Sequence, residues 1–102
     1  MNDEEFEAIA VQHGGLDNVK KIHTAAGVVV MRGPTESEYQ VLKQILKKDE
    51  LAASAKIARM FAVHPAKDEL NAWIARKPGI VELCANAAAE LAGVLEVEAQ
   101  KK

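Results

Sequence analysis

The sequence predicts a small α+β domain, mostly helical: an N-terminal helix, a β-hairpin and then four helices. Two observations lead to this. Val28-Val29-Val30-Met31 is the only clear strand signal, a short apolar run of β-branched residues suited to a pleated surface. It stops at Gly33-Pro34, where proline lacks an N–H for a ladder and biases the residue before it towards extended geometry. Thr35-Glu36-Ser37-Glu38 then reads as a capping box, in which the Thr35 hydroxyl and the Glu38 carboxylate each take an orphan N–H, and helical stripes fill most of the remaining chain.

The 102 residues suit one domain: an N-terminal helical arm over 1–17, the hairpin over 18–33, a helical part over 35–96 and a tail over 97–102. Residues 3–13 make the first helix. Asp3, Glu4 and Glu5 suit its positive end, and Phe6, Ile9, Ala10 and His13 share one face until Gly14-Gly15 ends it. That face either docks on the domain's own core or forms a partner-binding arm. Residues 18–24 and 27–32 pair as the hairpin, with Ala25-Ala26-Gly27 as its turn. The first strand carries Lys20 and Lys21 and reads as an edge that discourages further pairing.

Helix two runs from about Glu36 to Lys47 with Tyr39, Leu42, Ile45 and Leu46 inward. Helix three spans about Glu50 to Val63 with Asp49 as its cap, and its wide stripe of Leu51, Ala55, Ala58, Phe61 and Ala62 marks the central helix. Pro65 opens helix four at its first position, with Leu70, Trp73 and Ile74 inward, and Lys77-Pro78-Gly79 ends it. The last helix covers about Ile80 to Glu96, with Ile80, Leu83, Cys84, Ala87, Leu91 and Leu95 on one face.

The formal charge of −2 and the scattered Lys and Arg argue against a nucleic-acid partner, which calls for a strong positive balance. A lone cysteine, Cys84, excludes an internal disulfide. The acidic N-terminus is no secretory signal, and no apolar run approaches the roughly 20 residues of a membrane span. The expected location is the cytoplasm. His13, His23 and His64 fit no metal-ligand spacing, so no metal or other cofactor is expected, and no Walker motif or G-x-G-x-x-G is present. His64 and Asp68 read as capping or surface groups, Cys84 as a buried inert thiol, and Trp73 as a core or rim aromatic. A non-enzymatic protein is the expectation.

Residues 28–39 resemble a pattern in small proteins of long-tailed bacteriophages and prophages: a short strand ending in Arg32, then Pro34-Thr35, then a helix with Glu38 and Tyr39. The hydrophobic-x-Pro junction at Val63-His64-Pro65 and the Arg-x-Pro-Gly of Arg76 to Gly79 follow in the same order. The family it resembles is the tail assembly chaperones, which keep the tape-measure protein soluble while the tail tube polymerises around it and then leave. The resemblance implies the tape-measure protein as partner, with the tail-tube protein as a second. It also implies a slippery site that would extend the chain after Lys101-Lys102, against the plainer reading of a solvated tail. A structural tail or head–tail connector protein is the alternative. Exposed apolar strips would do the shielding, with Phe6 and Ile9 on the first helix and Val94, Leu95 and Val97 near the end as candidates; self-association is compatible with such strips.

Overall fold

The structure, a computed structural model, describes residues 1–47 and 51–93. Among these, five α-helices and one three-stranded antiparallel sheet follow in the order α1 (Asp3–Gln12), β1 (Val19–His23), β2 (Val28–Arg32), α2 (Glu36–Leu46), α3 (Leu51–Phe61), β3 (Ala62–His64), α4 (Lys67–Arg76) and α5 (Ile80–Leu91). A single 3-10 turn, Leu16–Asn18, joins α1 to β1. The architecture is the expected mostly helical α+β. The expected Asp49 cap, the far end of the last helix and the Lys101-Lys102 tail lie outside the described residues.

The sheet order is β1-β2-β3, so the apolar strand is central and the lysine-bearing strand is an edge. Strands β1 and β2 pair from Val19↔Arg32 to His23↔Val28. Beyond that last pair, Thr24 and Gly27 exchange backbone bonds at 2.9 and 3.2 Å, leaving Ala25 and Ala26 as a two-residue tip where a three-residue turn was expected. The Thr24 hydroxyl tightens the tip by accepting from the N–H groups of Ala26 and Gly27.

Strand β3 corrects the expected run of helix three to Val63. Proline disfavours helical geometry at the residue before it. Pro65 holds His64 extended, and α3 stops at Phe61, because Ala62 to His64 pair with the open edge of β2 at Val30↔His64 and Met31↔Ala62, with a bulge between the two pairs. The same pairing corrects the place of Pro65. It is buried between β3 and α4 rather than at the first helical position, which Lys67 takes, with Ala66 as N-cap.

Period-2 alternation along β2 divides the interior in two. Val29 and Met31 enter the main core with Leu42, Ile57, Phe61, Leu70, Val81 and Cys84. Val30 lies on the other face in a smaller cluster with Ala10 and Val19, against which Phe6, Ile9, Val28 and Val63 pack. Helix α3 touches α2, α4, α5 and β2, the central place its wide stripe implied. On helix α5, Ile80, Cys84 and Ala87 are buried as expected, but Val81, Ala85, Ala88 and Ala89 are buried with them and Leu83 is exposed, which corrects its place. When four alanines share a twelve-residue helix, periodicity alone cannot choose the buried side.

The hairpin tip is fixed from below by α4. A Cβ at Gly27 would stand 2.6 Å from Cη2 of Trp73, and Gly27 holds a φ of 151°. Gly27→Ala should therefore lose about 2 kcal/mol through strain and overpacking, read as a lower urea midpoint. A midpoint within error of the parent protein would show that Trp73 does not clamp the hairpin.

Candidate functional site

The residues of the sequence signature converge where the central strand hands over to α2. Arg32 ends β2, Gly33-Pro34 turns the chain and Thr35 caps α2 with a complete capping box. The Thr35 hydroxyl accepts from the Glu38 N–H at 3.2 Å, and Glu38 Oε1 accepts from the Thr35 N–H at 2.9 Å. Glu38 has a second task. Arg32 donates to both its carboxylate oxygens, Nη1 to Oε1 at 2.7 Å and Nη2 to Oε2 at 2.8 Å. Such forked pairing is the strong form of an arginine–carboxylate bond. The guanidinium also donates to the Gly33 carbonyl at 3.2 Å and lies 5.1 Å from the ring centroid of Phe61, the last residue of α3.

These bonds set the electrostatics. The Arg32 fork, then the Thr35 N–H, draw the Glu38 carboxyl down to about 2 from 4.5, with partial desolvation opposing them. The bond to Glu38 raises Arg32 in turn. Asn18 completes the junction. Its side chain donates to the His13 carbonyl at 2.7 Å and its carbonyl accepts from Gly33 N–H at 2.8 Å, and a side chain at position 33 would collide with it. His13, Asn18, Arg32, Gly33, Thr35 and Glu38 together line an open hollow of about 310 Å³. With Arg32 and Glu38 committed to each other, the ion pair in this hollow serves as a structural junction. Tyr39 is half-buried against the main core, while Pro78 and Gly79 are exposed between α4 and α5.

The structure places the partner-binding candidates differently. Phe6 and Ile9 are half-buried on the sheet, so the apolar face of α1 docks on the protein's own core. Lys21 holds it there, 5.0 Å from the Phe6 ring centroid and 3.7 Å from Asp3 Oδ1. Of the two readings of this face, the structure shows the docked one, with both side chains half-buried rather than an open strip. Val94, Leu95 and Val97 lie outside the described residues. The large apolar side chains that are exposed among the described residues include Val11 (80%), Leu16 (57%), Leu83 (46%) and Val41 (43%). None was read from the sequence as a partner-binding residue; Leu83 was read as part of the packed face of the last helix. Val11 was legible, since it lies on the side of α1 opposite Phe6 and Ala10.

Cys84 is fully buried, and burial pushes its thiol up to about 11, leaving too little thiolate for a nucleophile. Among the described residues no three His, Cys, Asp or Glu side chains are grouped to hold a metal, and no helix is long and apolar enough to cross a membrane. No family model, no curated protein and no solved structure matches this chain.

The Glu38 shift carries a pH signature. A carboxyl whose folded-state value lies below its unfolded value stabilises the fold above the unfolded value and loses that stabilisation as pH falls towards the folded one. Glu38 is about a third exposed, so solvent screening reduces the effect to about 1–2 kcal/mol. The stability difference between the parent protein and Glu38→Gln should be full at pH 7 and shrink as pH falls from about 4.5 towards 2. A difference independent of pH across that window would show that the fork does not form in solution.

Proposed function

We propose that this protein is a non-enzymatic tail assembly chaperone of a long-tailed bacteriophage or prophage, acting in the cytoplasm of the bacterial host. It binds the tape-measure protein, with the tail-tube protein as a second candidate, and uses no cofactor, membrane or nucleic acid. The observation that carries the reading is the ordered signature Arg32, Pro34-Thr35, Glu38-Tyr39, Pro65 and Pro78-Gly79, which resembles that family's pattern. In support, its first five residues are the ones that join sheet to helices, with Arg32 and Glu38 bonded to each other. A motif that builds the fold is what a related chain would have to keep.

Shielding a long helical client asks for apolar side chains that remain open to it. Among the described residues these include Val11, Leu16, Val41 and Leu83, in place of Phe6 and Ile9. The deeply buried Cys84 thiol and the mutually neutralised Arg32–Glu38 pair favour a binding protein over a catalyst.

Co-expression with the long coiled-coil product of the neighbouring gene tests the reading. The client should become soluble and co-purify with this protein, and mass spectrometry of mature particles should find the client without the chaperone. A client that stays insoluble, or this protein in stoichiometric amount in finished particles, would overturn the reading; the second result would favour the connector alternative.

A further inference from the structure

Helix α1 covers its face of the sheet with little hold on it. Of its 10 residues only Ala10 is buried, with Phe6 and Ile9 half-buried beside it. Its backbone packs more against the 3-10 turn that follows than against any strand. Its ion pair to the sheet, Asp3 with Lys21 at 3.7 Å, has a carboxylate that is 96% exposed, and such a pair holds weakly. The chain leaves the helix through Gly14 and Gly15, at φ of 96° and 108°, a left-handed pair that suits glycine and serves as a hinge. Beyond the hinge only the Asn18 side chain, donating to the His13 carbonyl at 2.7 Å, is recorded as tying the helix end down by a side-chain bond.

Beneath α1 lies a strip of valines that crosses all three strands: Val19 of β1, Val28 and Val30 of β2, and Val63 of β3. Lys21, opposite Val30 in the β1 and β2 register, stands at its rim, and Phe6 and Asp3 lie against it. Among the described residues, every member of this cluster outside the sheet comes from α1. The way α1 sits there specifies what else the strip would take. It is a helix with an aromatic, an aliphatic and a small residue at i, i+3 and i+4, and an acid three residues before the aromatic.

We propose that α1 is a built-in cover, and that the valine strip with Lys21 at its rim docks one such amphipathic helix of the client in its place. The identity of the occupant rests on the chaperone reading, whose client is long and helical. The client's acid takes Lys21 from Asp3, its aromatic and aliphatic side chains take the seats of Phe6 and Ile9, and α1 swings out on Gly14-Gly15. Without the client, the cover keeps the strip out of water. Only the open fraction of the protein binds, so apparent affinity falls by that fraction.

Thiol labelling and amide hydrogen exchange on the full chain, free and in complex with the co-expressed client, test this. Val30→Cys places a thiol under α1, and the native Cys84, buried in the main core, reports global unfolding in the same chain. Hydrogen exchange is read on the parent protein and does not depend on the variant. In the free protein a maleimide should modify position 30 at least about tenfold faster than Cys84, and α1 amides should exchange faster than those of α3. In the complex the two signals should part: position 30 labels at least about tenfold more slowly, while α1 exchanges faster still. Phe6→Ala loosens the cover without altering the strip, and should tighten client binding at least about threefold by raising the open fraction. Equal labelling of position 30 and Cys84 in the free protein would overturn the proposal whatever the client does. So would a complex in which α1 and position 30 are both protected, or in which neither changes; the chaperone reading would then stand, with the client bound elsewhere. A client that does not associate at all would remove that reading and this docking site with it. Protection of position 30 that grows with protein concentration in the absence of client would give the strip to a second copy, and would also overturn the proposal.

Discussion

The forked bond between Arg32 and Glu38 is the interaction on which the rest of this fold depends. It spans only six positions, yet it joins the end of the central strand to the first turn of α2 across a Gly-Pro turn. The same carboxylate closes the capping box with Thr35, and the same guanidinium lies over Phe61, where α3 gives way to β3. One ion pair therefore fixes the direction in which the chain leaves the sheet, the start of α2 and the point to which α3 returns. Its partial exposure keeps the desolvation cost below that of a fully buried pair while the fork retains its geometry.

Around that junction, β2 serves two cores. Its Val29 and Met31 belong to the large helical core and its Val30 to the small cluster under α1. The two sides differ in weight. Three buried residues, Ala10, Val19 and Val30, anchor α1, whereas Phe61, Met31, Leu42 and Ile57 head a much larger group on the other side. Buried apolar area sets most of the stabilisation, so α1 is the layer with the lower free energy of local opening. Its capping box, Asn2 with Glu5, and the contacts of Lys21 with Asp3 and Phe6 compensate in part. On the other side Lys20 pairs with Glu90 and ties β1 to α5.

Much of this was legible in the sequence because the signals were local. The β-branched run at Val28–Val30, the Gly33-Pro34 stop and the Thr35 box each depend on neighbours within a few positions, and each forms as read. Strand β3 was obscured because Ala62-Val63 continues the apolar stripe of α3; Pro65 marked a break after Val63, but no local signal says that the residues before it pair with β2. Arg32 and Glu38 were both singled out, but nothing in either segment alone says that they meet. The packing of Trp73 on Gly27 joins residues far apart in the chain and leaves no local trace. Leu83 was misplaced because α5 is apolar on most of its circumference. The partner-binding face of α1 stood between two readings, and only the sheet it rests on could choose.

The central claim is that Arg32 and Glu38 act as one unit holding strand to helix. A double-mutant cycle with Arg32→Met, Glu38→Gln and the double variant, followed by urea denaturation at pH 7, measures this directly. The account predicts a coupling of about 1–2 kcal/mol, with the double variant little worse than either single one. A coupling within about 0.3 kcal/mol of zero, with the two losses simply adding, would contradict it.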